Sequence, residues 1–494
     1  MRPALIAVVH AAPLRRLRAA LLATASLPLV AAAALPDPEP LGIGDRLFPE
    51  LGNPGYDVLA YDIAFTYHGS NTKPLDAVTK IAARTTAPLD RINLDFARGT
   101  VQGVEVNGRA ADFGSRNEDL VVQAPRRLPA GVPLDITVRH TSDPAGTAGN
   151  GGWIRTADGL AMANQADAAH RVFPSNDHPS DKAHFTFRIT APKDLTAVAN
   201  GLSAGHTRNG TTTTWTYRTE HPMATELAQV SIGRSHVHRH TGPHGLPLRD
   251  VVPAADREKM EPWLKKTPAQ LEWMERRVGR YPFESYGVLV ADSRIGFALE
   301  TQTLSLFGKS FFTEPAYPEW YVDSVMIHEL AHQWFGNSVS PATWSDLWLN
   351  EGHATWYEAL HAEESGGVTL ERRMREAYKL SDGWRADGGP PARPDTPAEG
   401  EKLSLFRPVV YDGSALILYA LRQEIGEAAF DRLQRTWVRV HRDSTATTED
   451  FTRLASGIAG RDLTAFFEGW LYGEKTPPMP GHPDWRAAQP AATP

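Results

Sequence analysis

His328-Glu329-Leu330-Ala331-His332 constrains this chain more than any other stretch. In a helix the two histidines leave one face about one turn apart, close enough for both imidazoles to hold one small cation. Eighteen residues separate His332 from Glu351, which lies within Asn350-Glu351-Gly352. A carboxylate from there reaches the same ion only if a second helix lies beside the first. Two neutral nitrogens and one carboxylate fill three positions of a tetrahedral ion and leave the fourth for water, the open arrangement of a catalytic zinc, one per chain. Glu329 stands about 100° around the helix from His328, beside the metal and not on it, where it can take the proton of a zinc-bound water.

An amphipathic helix with a surface histidine pair has the same five-residue pattern. Three features argue for the metal. Tyr321, Val322, Val325, Met326 and Ile327 make the approach half buried. Trp334-Phe335 runs into Gly336-Asn337, a helix stop. A second helical run, Trp348 to Leu360, carries Glu351 at its start. Imidazole ligands also need oriented acceptors for their far N–H groups, and Asn350, Thr355 and Glu358 are the candidates beside Glu351.

A chain of 494 residues exceeds one comfortable core and predicts two or three domains. Hydrophobic residues at 41% and charged residues at 22% are those of an ordinary globular protein. The formal charge of −7, without a basic stripe, gives no footing for nucleic acid. The absence of cysteine excludes disulfides, thiol catalysis and cysteine-bound metal. At the N-terminus Arg2, Arg15, Arg16 and Arg18 precede the apolar run Ala19 to Leu35, and Ala31 to Ala34 offer small-residue cleavage sites before a proline-rich stretch. Residues 1–34 are therefore expected as a cleaved signal peptide of a secreted protein, with Arg15-Arg16 leaving a twin-arginine route open. About seventeen alanine-rich positions interrupted by Pro28 are marginal for crossing a bilayer, so no stable membrane anchor is expected. Cleavage would take the charge from −7 to about −11.

After a linker over 35–49, the pattern from 50 to 245 is period two: Tyr61, Ile63, Phe65 and Tyr67, then Ile92, Leu94 and Phe96, then Leu134, Ile136 and Val138, then Phe185, Phe187 and Ile189. Asn107-Gly108 signals a hairpin. These runs predict an antiparallel β domain. Beyond 246 the period becomes helical, as in Leu271, Met274 and Val278 or Leu463, Phe466, Phe467 and Trp470. A short strand block, Gly287 to Val290, precedes the metal helix. Ser381 to Gly400 reads as a long loop, and 476–494 as a disordered, proline- and alanine-rich tail. The fold class is α+β and multidomain: the β domain, then a mainly helical domain with a small sheet over 246–475.

HELAHQWFGN followed by WLNEG resembles the gluzincin aminopeptidases, of the aminopeptidase N and leukotriene-hydrolysing types. The resemblance covers roughly residues 50 to 475. It includes Gly55-Tyr56-Asp57-Val58-Leu59-Ala60-Tyr61-Asp62, the segment Phe173-Pro174-Ser175-Asn176-Asp177-His178-Pro179 with Lys182-Ala183, and Tyr281-Pro282-Phe283. It implies that the catalytic domain is thermolysin-like, and that the chain is a short form without the helical domain that larger relatives carry after it.

The resemblance also assigns residues. The family's GxMEN segment falls on Phe297-Ala298-Leu299-Glu300-Thr301, which keeps the glutamate and loses Gly, Met and Asn. It implies that Glu300 binds the substrate's free α-amine, with Gln165 as its partner. The family's catalytic tyrosine, in YxKGA or YxRGA, falls on Tyr411 of Tyr411-Asp412-Gly413-Ser414-Ala415, where Gly413 and Ser414 replace the basic residue and its glycine. The implied activity is secreted, zinc-dependent removal of the first residue from peptides with a free N-terminus, with Glu329 as base and Tyr411 as donor to the oxyanion. Two alternatives stand beside it: a zinc endopeptidase, indifferent to N-terminal acetylation, and a non-catalytic binding module with a structural zinc, which would need neither Glu329 nor Tyr411.

Overall fold

The computed structural model describes residues 42–145, 151–293, 295–314, 317–398 and 402–488. The signal peptide expected over 1–34 lies outside them. Among the described residues no helix is long and apolar enough to cross a membrane.

Alternation of apolar and polar side chains makes the N-terminal half a set of sheets. In Tyr56–Thr66, Tyr61, Ile63 and Phe65 are buried while the positions between them are more open, as expected of a strand with one face on a core. The main sheet has eight strands in the order Leu202–Asn209, Thr212–Arg218, His184–Pro192, Tyr56–Thr66, Leu75–Thr85, Pro133–Ser142, Val101–Val106 and Arg109–Ala111. The Asn107-Gly108 hairpin forms, with φ of 49° and 71° and Val106 opposite Arg109. Both turn residues take the left-handed region that matches strand twist.

This sheet is not antiparallel throughout. Tyr56–Thr66 runs parallel to His184–Pro192, with Tyr61 opposite Phe185 and Phe65 opposite Ile189. The chain between these strands supplies the long crossover that parallel pairing demands, whereas side-chain alternation is the same in both directions and cannot reveal it.

A second sheet, ordered Ser235–Thr241, Pro247–Pro253, Val288–Ala291, Ser305–Gly308, Ala298–Leu299, underlies the helical half. Its first hairpin pairs Ser235 with Pro253 and Thr241 with Pro247, so it straddles the boundary expected between 245 and 246. Val251, Leu289, Leu299 and Leu306 share one apolar cluster with Phe187 and Ile189 of the main sheet. The helices are α1 (Arg257–Leu264), α2 (Thr267–Val278), α3 (Lys309–Thr313), α4 (Glu319–Ala331), α5 (Trp348–Glu364), α6 (Leu370–Gly388), α7 (Asp412–Ile425), α8 (Glu427–Val440), α9 (Thr448–Ala459) and α10 (Thr464–Phe467). The protein is thus a multi-sheet β domain followed by a mainly helical one with a small sheet.

Two expectations change here. The loop expected from Ser381 begins only after Gly388, because the Ser381 hydroxyl bonds the Tyr378 carbonyl one turn back at 2.8 Å and stays within α6. The segment expected as a disordered tail is packed in its described part: Met479 and Trp485 are buried, and Trp485 stacks on Tyr419 with ring centres 5.8 Å apart. A low-complexity average hides two large apolar side chains that α6 and α7 can cover.

Candidate metal centre

Burial of Val322, Met326, Ile327, Leu330 and Ala331 holds α4 against its neighbours. The α-helix ends at Ala331, earlier than the expected stop at Gly336, since the N–H groups of Gln333 and Trp334 tighten onto the carbonyls of Leu330 and Ala331. His332 still has helical φ of −56° and ψ of −26°, so the one-turn relation to His328 survives. Glu351 comes from the first turn of α5, which packs beside α4. Gly352 lets α7 approach α5 closely, because a Cβ there would stand 2.7 Å from Ser414 Cβ. That contact sets the start of α7, and hence Tyr411, against the metal helices.

His328 Nε2, His332 Nε2 and Glu351 Oε2 form a near-equilateral triangle with sides of 3.2, 3.3 and 3.4 Å. Donor atoms held about 2.0–2.1 Å from one tetrahedral ion stand about 3.3–3.4 Å apart. Hydrogen bonding fixes what these atoms offer. The Phe335 carbonyl, 3.1 Å from His332 Nδ1, can only accept, so Nδ1 carries a proton, which in the neutral ring leaves Nε2 its lone pair. His328 Nδ1 likewise donates to Glu358 Oε2 at 3.0 Å. Glu351 Oε2 is buried with no hydrogen-bond donor. With both imidazoles neutral, three acceptors converge on one point, and a cation is what such a triangle fits. Nitrogen and oxygen donors in this geometry suit zinc.

Of the three candidates for orienting the ligands, Glu358 is the one that does so. Thr355 Oγ1 is buried without a partner, and the Asn350 amide lies against Gly336. Arg373 of α6 donates to Glu358 Oε1 and to Asp412 Oδ1, each at 2.8 Å. Burial alone would raise the Glu358 carboxyl, but Arg373, and then His328, bring it down to about 2. The pairing escaped the sequence reading because Arg373 belongs to another helix and to no motif. Glu358 lies seven residues after Glu351, on the same helical face, which is the signal that made it a candidate.

The remaining candidates converge on the same place. A Glu300 carboxylate oxygen, a Glu329 carboxylate oxygen and a His332 nitrogen lie within 4.8 Å of one another. Glu300 is buried, and its backbone carbonyl accepts from Gln333 Nε2 at 3.0 Å and Asn337 Nδ2 at 2.6 Å, which tie it to the turn after α4. Gln165 Nε2 donates to Glu300 Oε1 at 2.5 Å. Burial, with Glu300 adding to it, pushes the Glu329 carboxyl up to about 8 against the pull of His328. The Tyr411 ring packs over the His328 ring with centres 5.9 Å apart. Burial, and then the carboxylates of Glu351, Glu300 and Glu329, hold the Tyr411 phenol well above its ordinary pKa, so it stays a donor.

Comparison with known proteins bears on the whole arrangement. Residues 263–470 match the peptidase family M1 domain and residues 157–227 the peptidase M1 N-terminal domain. The chain is 26% identical over 402 residues to aminopeptidase N of Streptomyces lividans, covering 76% of this chain and 46% of that protein. It is 27% identical over 470 residues to leucine aminopeptidase 2 of Sclerotinia sclerotiorum, covering 84% and 71%. It thus spans about half the length of the Streptomyces protein. Among solved structures, an M1 zinc metallopeptidase from Deinococcus radiodurans superposes with a TM-score of 0.74 at 28% identity, over 88% of this chain and 99% of that one. A mutant of that enzyme, solved with the substrate Tyr-Ser-Ala, matches equally well, with a TM-score of 0.74.

Proposed function

This chain belongs to the M1 peptidase family, and on that footing we propose that it is a zinc-dependent aminopeptidase that removes the first residue of peptides with a free N-terminus. The observation that carries this reading is the position of Glu300, its carboxylate within 4.8 Å of the Glu329 carboxylate and of a His332 nitrogen. An ammonium paired with Glu300 sets the first peptide bond, and no later one, beside the metal ligands. An internal peptide segment brings no such charge.

His328, His332 and Glu351 would hold the zinc, which when bound would supply Lewis acidity at the carbonyl oxygen and make the attacking water more acidic. Glu329 takes a proton from the attacking water and returns it to the departing nitrogen. Tyr411 donates a hydrogen bond to the oxyanion, an interaction that strengthens as charge develops. Gln165 holds one Glu300 oxygen, which keeps the carboxylate aimed at the amine. Glu358, clamped by Arg373, fixes the His328 tautomer. The reading includes export, on the pattern of Arg2, Arg15, Arg16 and Arg18 before an apolar run and small residues.

Aminoacyl chromogenic substrates, free and N-acetylated, with and without chelator, test the proposal. Hydrolysis of the free substrates alone, abolished by chelator and restored by zinc, is the expected result. Equal cleavage of acetylated peptides would replace it with an endopeptidase, and zinc binding without any turnover with a binding module.

A further inference from the structure

The stretch His236-Val237-His238-Arg239-His240-Thr241-Gly242-Pro243-His244 places four histidines in nine residues, a composition associated with metal binding. None of them belongs to the centre described above. His236, His238 and His240 alternate along Ser235–Thr241 and so share one face, on a strand at the edge of its sheet.

Two details resemble the catalytic pair. The ring centres of His238 and His240 are 4.8 Å apart, against 4.9 Å for His328 and His332. His240 Nε2 lies 2.7 Å from Oδ2 of Asp250, a fully buried carboxylate whose other oxygen accepts the Val288 N–H at 2.9 Å. A carboxylate so placed holds the proton on Nε2 and leaves the Nδ1 lone pair available, as Glu358 leaves Nε2 available on His328. His238, two residues back on the same face, is exposed. The flanking groups differ in what they offer. The ring of His236 is 6.4 Å from that of His238 and has the Arg257 charge near it. Glu261, paired with Lys265, lies on the His238 side, and His244 is engaged by Glu275 at 3.2 Å.

We propose that His238 and His240 form a second metal site, for a divalent transition cation of the zinc, copper and nickel class, with Asp250 orienting His240. Imidazole suits these ions, and the open side of His238 leaves the remaining positions to water.

Nickel titration of the untagged holoenzyme, followed by calorimetry, tests this site. One nickel equivalent beyond the catalytic metal is expected. His238→Ala and His240→Ala should each weaken it at least about tenfold, and Asp250→Asn about tenfold through loss of the oriented tautomer. His244→Ala should leave nickel binding unchanged, and His238→Ala should leave hydrolysis and melting temperature in the absence of nickel unchanged. An untagged protein that takes up no extra nickel, a double His238→Ala, His240→Ala variant that binds it like the parent, or binding that disappears with His244→Ala would each overturn the assignment.

Discussion

Gln165 donates its side-chain N–H to Glu300 Oε1 at 2.5 Å, which joins the β domain to the segment that faces the metal ligands. The carboxylate proposed to bind the amine is therefore set by residues from both halves of the chain. Glu300→Ala should lower kcat/KM on free-amine substrates by about 10- to 100-fold, the worth of a hydrogen bond to a charged group, with acetylated substrates unaffected. Gln165→Ala should cost about tenfold or less, since the carboxylate remains but loses its aim. Steady-state kinetics on paired substrates measures both, and unchanged values for Glu300→Ala would remove it from amine recognition.

Glu329→Gln keeps the shape of the side chain and removes its basicity. Zinc content should stay at one per chain while turnover falls by about 10²–10⁴. Tyr411→Phe should lower kcat by about 10²–10³ with KM little changed, because its hydrogen bond is made mainly in the transition state. Metal analysis beside kinetics separates loss of chemistry from loss of zinc.

The candidate metal ligands were legible because periodicity and chemistry coincide: one helical turn between His328 and His332 makes a pair whatever surrounds it. The alternation of Tyr61, Ile63 and Phe65 likewise gave a strand, and Asn107-Gly108 gave its hairpin. Parallel pairing of Tyr61 with Phe185 was not legible, since strand direction leaves no trace in which face is apolar. Gln165 and Glu300 were reached only through the family's motifs, because they stand 135 positions apart in the chain and neither carries a local signature. Arg373 was missed for the same reason. A contact between α5, α6 and the start of α7 is a property of tertiary structure, and no spacing along one element encodes it.

Arg373 connects the orientation of His328 to the residue after Tyr411 through Glu358 and Asp412. Glu358→Gln should weaken zinc binding by about 10- to 100-fold, as loss of an oriented partner does elsewhere. Arg373→Met should do the same and also lower kcat, because Asp412 loses its anchor beside Tyr411. Chelator competition gives the first effect and zinc-saturated kinetics the second. A normal kcat at saturating zinc would confine Arg373 to the metal.

His170 is fully buried, its ring 2.6 Å from Asp177 and 3.4 Å from Glu118. Burial alone would strip its proton, but the hydrogen bonds to Asp177, then Glu118, outweigh it and raise the imidazole from 6.5 to about 10. Between those values the folded chain binds a proton that the unfolded chain has released, so stability falls as pH rises. The contribution is fully present below about 6.5 and lost through about 10. Urea unfolding at pH 6, 8 and 10 should show midpoints that decline across this window in the parent. His170→Gln, which keeps a donor for Asp177 but cannot titrate, should be less stable at pH 6 and show a shallower decline. An equal slope in both proteins would mean that His170 is not charged in the fold.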